Sequence, residues 1–239
     1  MMDDRNQISA DQGVAESVAT VVAMFQELRL DYALFGSCGI QTYFDCFFRL
    51  PNDIDVIVRK EAISKLKAYC TQLGHTYEEE LGRSKLHING FPVHIIPECF
   101  SCIDKVANTV FARIDLSTFI SNAVTKQVNL PCASTSPIVN VVCFEMCLFM
   151  DLIRPVNTNS LLTSYFVFRH IDIDEGEFGA IVRNNILFAT TIVRRLNECA
   201  NALSGVTYFS KGDIRFAQNK MADMRRTIER LQSQAINYV

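Results

Sequence analysis

Asp31-Tyr32-Ala33-Leu34-Phe35-Gly36-Ser37, followed after a helix-length gap by Asn52-Asp53-Ile54-Asp55-Val56-Ile57-Val58, is the stretch on which the reading of this chain turns. Each half reads as an apolar strand with small or charged residues at one end. Side chains alternate across a strand, so Asp53 and Asp55 share one face while Ile54, Val56 and Val58 point to the other. Like charges a few ångströms apart repel. The pair makes sense where a hard divalent cation such as Mg²⁺ sits between them, bound by oxygen and shared with phosphates. Gly36 lets the backbone approach a ligand closely, and the Ser37 hydroxyl with neighbouring N–H groups can face a phosphate. Together the halves point to a site for a metal and a triphosphate.

In these two motifs the sequence resembles the nucleotidyltransferases of the DNA polymerase β-like superfamily, whose signature is hydrophobic-Gly-(Gly/Ser), a short helix, then Asp-hydrophobic-Asp. The likeness is to lincosamide- and aminoglycoside-type antibiotic nucleotidyltransferases and to abortive-infection toxin nucleotidyltransferases. It covers Asp31 to Val58 and weakens towards Pro97. Those proteins often carry an Arg four residues before the first Asp, where Arg49 stands; their usual Thr two residues before it is Pro51 here. The resemblance implies Asp53 and Asp55 as ligands of Mg²⁺ or Mn²⁺, and Gly36, Ser37 and Arg49 as contacts of a nucleoside triphosphate. Arg154 sits where many relatives place a further phosphate contact, although Asp151 replaces their preceding Lys. A second Asp-x-Asp, Asp172 and Asp174, lacks a Gly-Ser partner and reads as the acidic start of a helix.

The family also implies a third acidic residue on a neighbouring strand, in Phe91-Pro92-Val93-His94-Ile95-Ile96-Pro97, and the matching position is His94. With strands aligned as in the family, His94 shares the face of Asp53 and Asp55. Imidazole is a poor Mg²⁺ ligand, but neutral His94 can serve as a general base near pH 7. Glu98 is the next candidate if the register differs. Ser84 and Lys85, before that strand, fall loosely near the expected triphosphate.

The 239 residues suffice for one large or two small domains with a substantial core. Nearly half are hydrophobic, at 49%, which indicates a globular chain. A net charge of −3 gives no overall attraction to nucleic acid, so that partner is possible but not indicated. The basic residues Arg215, Lys220, Arg225, Arg226 and Arg230 on the last helix read first as a solvated face. No stretch of eighteen apolar residues exists and the polar start does not read as a signal peptide, so a cytoplasmic protein without a membrane partner is expected. The 9 scattered cysteines read as reduced core thiols; Cys99-x-x-Cys102 has no second pair at zinc-ribbon spacing.

Hydrophobic spacing predicts a helix from Val14 to Leu30, a strand from Tyr32 to Phe35, a short helix from Gly39 to Phe47 and a strand from Asp53 to Arg59. A helix from Glu61 to Leu73 follows, capped by Gly74. Strands then run from Thr76 to Leu81 and Ser84 to Ile88, turning at Asn89-Gly90 into Phe91 to Ile96. Beyond Ser101 helical patterns dominate, over Asn140–Leu152, Leu161–His170, Glu175–Leu203 and Asp213–Ala235, with Pro131–Pro137 as linker. The expected fold is α+β: a nucleotidyltransferase-like mixed β-sheet with flanking helices in a core of residues 1–100, then a mainly helical region, 101–239. The resemblance implies a metal-dependent enzyme moving NMP from an NTP to a hydroxyl acceptor (a small molecule, a protein or a tRNA end) with release of pyrophosphate. The competing reading is a degenerate member that binds nucleotide or a partner without turnover.

Overall fold

The computed structural model describes residues 4–44, 51–80, 83–104, 109–128, 134, 136–154 and 158–236. The chain divides into two compact units, Met1–Phe144 and Glu145–Val239. The first opens with α1 (Asp4–Glu27), which begins ten residues before the predicted Val14; of the predicted stripe Val14, Val18, Val21, Val22, Phe25 and Leu28, the first five are buried, and Leu28 lies past the helix, half-buried. The helix closes where Arg29 adopts the left-handed conformation, φ 51°, and the Leu30 N–H reaches the Phe25 carbonyl at 2.9 Å.

There follow β1 (Tyr32–Phe35), α2 (Gly36–Gln41), β2 (Ile54–Val58), α3 (Ala62–Gln72), β3 (Tyr77–Glu80), β4 (Arg83–Ile88), β5 (Phe91–Pro97), β6 (Cys99–Asp104), β7 (Thr109–Asp115), α4 (Ser117–Ser121), β8 (Val124–Gln127) and β9 (Ile138–Val141). Seven strands form one mixed sheet in the order β3-β4-β5-β2-β1-β9-β8, and β6 and β7 form a separate hairpin. Strand β2 runs antiparallel to β1 and parallel to β5, with every β2 residue buried. A central strand covered on both faces must be apolar throughout unless its polar residues have partners, which makes Asp55 conspicuous.

Asn89 and Gly90 both have positive φ, 53° and 79°, the geometry of a two-residue hairpin turn. The turn fixes Ile88 opposite Phe91, and so Lys85 opposite His94. Gly74, φ 72°, ends α3 as expected. Other expectations are corrected. The short helix begins at Gly36 itself rather than at Gly39. Strands do not fade after Ser101: β7, β8 and β9 follow, and β9 pairs with β1, so part of the main sheet comes from beyond residue 100. Ile138–Val141 is strand, with the next helix, α5, spanning Phe144–Leu152.

The second unit continues α5 with α6 (Thr158–His170), α7 (Glu175–Asn184), α8 (Ala189–Leu203) and α9 (Lys211–Ile236). Asp174 caps α7, its carboxylate accepting from the Glu177 N–H at 2.9 Å, which is the helix start its spacing predicts. The single helix expected over Glu175–Leu203 is instead two, parted by a short 3-10 turn at Ile186–Phe188. Helices α6 and α9 are tied by the Arg169 guanidinium donating to Asp213 at 2.7 Å, and Tyr165 of α6 stacks at 3.7 Å on Phe209 in the segment leading into α9. No helix among the described residues is long and apolar enough to cross a membrane.

Candidate metal and nucleotide site

Phe35, the last residue of β1, lies opposite Asp55, and Asp55 lies beside His94 on β5. Laterally paired residues share a face, so the register brings the aspartate and the imidazole together across the middle of the sheet. His94 Nδ1 is 3.1 Å from Asp55 Oδ1 and 3.5 Å from Asp53 Oδ2. One potential ligand atom from each of Asp53, Asp55 and His94 lies within 4.8 Å of the others. Asp55 is 3% exposed and His94 9%, while the Asp53 side chain, just before β2, is 31% exposed. The centre is thus buried at its base and open at its rim. With Asp55 ionised it can only accept, so the hydrogen at this contact is the imidazole's, donated from Nδ1.

Gly36 closes the other side. Its φ is 64°, a conformation that favours glycine. A Cβ added there would stand 2.2 Å from Asp55 Oδ2. The glycine is required twice over, by backbone and by the carboxylate pressed against it. Ser37 follows in the first turn of α2, half-buried. The Cys38 thiol, buried beneath, donates to the Asp53 carbonyl at 3.6 Å and steadies the turn into β2. Nothing in the sequence singled out Cys38 among the scattered cysteines.

Arg49 lies outside the described residues. Arg154 is exposed just past α5, in the second unit. Glu98 is placed elsewhere: it sits past the far end of β2 and β5, accepts from Arg59 at 2.9 Å and from the Lys60 N–H at 3.3 Å, and anchors the sheet's opposite end. Cys99 and Cys102, three apart on β6, differ in exposure: Cys99 is exposed, whereas Cys102 is buried and its thiol pushed up to about 11 by burial, which disfavours a thiolate ligand.

Two carboxylates with an imidazole beside them fit a divalent cation. The carboxylates suit Mg²⁺, and the nitrogen is compatible with Mn²⁺. The space that a side chain at position 36 would fill is taken by the Asp55 carboxylate, which packs directly against the Gly36 backbone.

No known family model matches the chain, and no curated protein matches it in sequence. Solved structures do resemble it. The lincosamide antibiotic adenylyltransferase LnuA, lincomycin-bound, is similar over 62% of this chain and 92% of its own, at 15% identity and TM-score 0.43. The antibiotic-resistance factor ANT(2'')-Ia is similar over 97% of this chain and 100% of its own, at 14% identity and TM-score 0.39. A tRNA nucleotidyltransferase complexed with a primer tRNA and an incoming ATP analog is similar over 88% of this chain and 60% of its own, at 15% identity and TM-score 0.36. Each likeness is distant, with a TM-score below 0.5.

Proposed function

We propose that this protein is a divalent-metal-dependent nucleotidyltransferase that moves NMP from an NTP to a hydroxyl acceptor and releases pyrophosphate. The observation that carries the reading is the convergence of Asp53, Asp55 and His94 against a glycine whose side-chain space is taken by the Asp55 carboxylate. Asp53 and Asp55 would hold Mg²⁺ or Mn²⁺. When bound, the ion supplies charge neutralisation on the phosphates and fixes their geometry.

The chain's own groups do the rest. Ser37 and the amides at the start of α2 bind the β- and γ-phosphates. Asp55 holds His94 through Nδ1–H, so Nε2 is the basic nitrogen and takes the proton from the attacking hydroxyl. The acceptor oxygen forms a bond to the α-phosphorus as the bond to the bridging oxygen breaks, and pyrophosphate leaves. Arg49 and Arg154 are assigned to phosphate binding by resemblance. The sheet that carries Asp53, Asp55 and His94 lies within the Met1–Phe144 unit.

One observation favours the competing reading, a nucleotide-binding protein without turnover: an imidazole stands where a third carboxylate is expected. A partner-binding module does not require nucleotide binding at Asp53 and Asp55, whereas catalysis and the nucleotide-binding form of the alternative both do. Calorimetry of ATP with Mg²⁺ or Mn²⁺ on wild type and on the Asp53→Asn, Asp55→Asn double variant tests it, the variant being expected to lose the metal-dependent part. Unchanged affinity in the double variant would sink this site. Incubation with labelled NTPs and a cell extract then separates the readings: a labelled product establishes transfer, and its absence with every NTP and either metal leaves binding alone.

A further inference from the structure

The row of side chains running through the site does not stop at His94. Across the sheet it reads Phe35 on β1, Asp55 on β2, His94 on β5, Lys85 on β4 and Glu78 on β3, each laterally paired with the next. Strand β4 alternates: Ser84, Leu86 and Ile88 are buried, whereas Arg83, Lys85 and His87 are half-exposed. Ser84 therefore belongs to the core face, where it accepts from the Tyr77 hydroxyl at 2.8 Å, and Lys85 belongs to the face of Asp55 and His94. Directly opposed residues in an antiparallel pair have Cβ atoms about 5 Å apart, well within the reach of a lysine chain. Among the described residues, no carboxylate lies within ion-pair distance of the Lys85 ammonium. Glu78, opposite it on β3, is exposed and does not close on it.

We propose that Lys85 is a phosphate-binding residue of this site, meeting the nucleotide's phosphates from the side opposite Gly36 and Ser37. The inference rests on the proposed nucleotide site. The carboxylate–imidazole centre lies between the two flanks in strand order: α2 follows β1 on one side, and β4 lies beyond β5 on the other. A lone ammonium on that second flank is a point charge suited to a phosphate oxygen.

The test is calorimetric titration of the full chain with ATP and Mn²⁺, and with pyrophosphate and Mn²⁺, at fixed ionic strength. Lys85→Met should raise Kd for both by about tenfold or more, the value of one charge-assisted hydrogen bond. Lys85→Arg should keep Kd within about threefold, since the charge survives. Glu78→Gln should leave Kd within about twofold, since Glu78 is exposed and does not close on the ammonium. Lys85→Met binding both ligands like wild type, while the Asp53→Asn, Asp55→Asn variant is weakened, would overturn the assignment and leave the site intact. Failure of both variants to weaken binding would overturn the assignment together with the site.

Discussion

Asp55 and His94 are buried in contact with each other, at 3% and 9% exposure, whereas Arg195 on α8 is buried at 2% with none of its three guanidinium nitrogens hydrogen-bonded among the described residues. The first pair lies in the Met1–Phe144 unit and the second group in the helical unit. Both take charge out of water, which costs several kcal/mol per ion before any partner is counted. In the sheet, that cost is offset by a direct hydrogen bond, and the Asp53 carboxylate of the same cluster reaches towards solvent. In the helical unit burial pushes the Cys199 thiol up, the Ser164 hydroxyl and the Arg195 charge pull it back, and no acceptor among the described residues meets that guanidinium. A mutual pair of this kind is a place to do chemistry; an unmet charge is a place where stability is lost.

The comparison breaks most sharply at His94. His94→Ala should lower the rate of nucleotidyl transfer by a factor of about 10² to 10⁴, measured as pyrophosphate release, while His94→Asp, which returns an oxygen to the position, should keep or raise it. A wild type that is active and indifferent to both changes would remove His94 from the reaction. The same His94→Ala change also leaves two aspartates facing each other, so the metal-free protein should unfold at lower denaturant, by about 3 kcal/mol.

Arg195→Met tests the other half and should move stability the opposite way. Replacing an unpaired buried charge by an apolar chain of similar length is expected to stabilise by about 1–4 kcal/mol in urea unfolding. A loss of that size would mean that the guanidinium is satisfied after all. Gly36→Ala should cost about 1–2 kcal/mol in backbone alone. It should also weaken metal-dependent ATP binding, because its Cβ would fall 2.2 Å from Asp55 Oδ2.

The smallest effect concerns Glu145, which accepts the Asp174 N–H at 3.0 Å and whose carboxyl is raised above its ordinary 4.5 chiefly by burial. The folded state then holds this proton to higher pH than the unfolded chain does. Its contribution is therefore lost as pH rises from the ordinary carboxyl value through the raised one. Glu145→Gln, which carries no charge, should match wild type near pH 4 and melt a few degrees higher near pH 7. Equal melting temperatures at both pH values would show that burial is not what holds this proton.

How much was legible follows from the range of the interactions. The Asp53/Asp55 alternation and the Asn89-Gly90 turn are local signals, and the elements around them fall within a few residues of their expected limits. From these, His94 beside Asp55 was readable once a register was assumed. Strand β9 was not readable. Ile138-Val139-Asn140-Val141 runs straight into the apolar Val142-Cys143-Phe144, and a short apolar run does not distinguish buried strand from buried helix. Its partner β1 lies about a hundred residues earlier, and no local pattern announces that pairing. The break between α7 and α8 falls at Asn185, without Pro or Gly to mark it. Arg195 reads as a surface residue by type, yet it is buried with Ile192, Leu196 and Cys199.

The Asn89-Gly90 turn acts as a ruler. It holds no functional group and is exposed to solvent, but its two residues set which side chains of β4 and β5 meet. One peptide unit more or less would force a slip of a single position. Then either β5 turns Val93 or Ile95 into the row that holds His94, or β4 exchanges Lys85 for a core residue such as Ser84 or Leu86. The reactivity of the site would be lost with every one of its residues still present in the chain, through an error of counting rather than of chemistry.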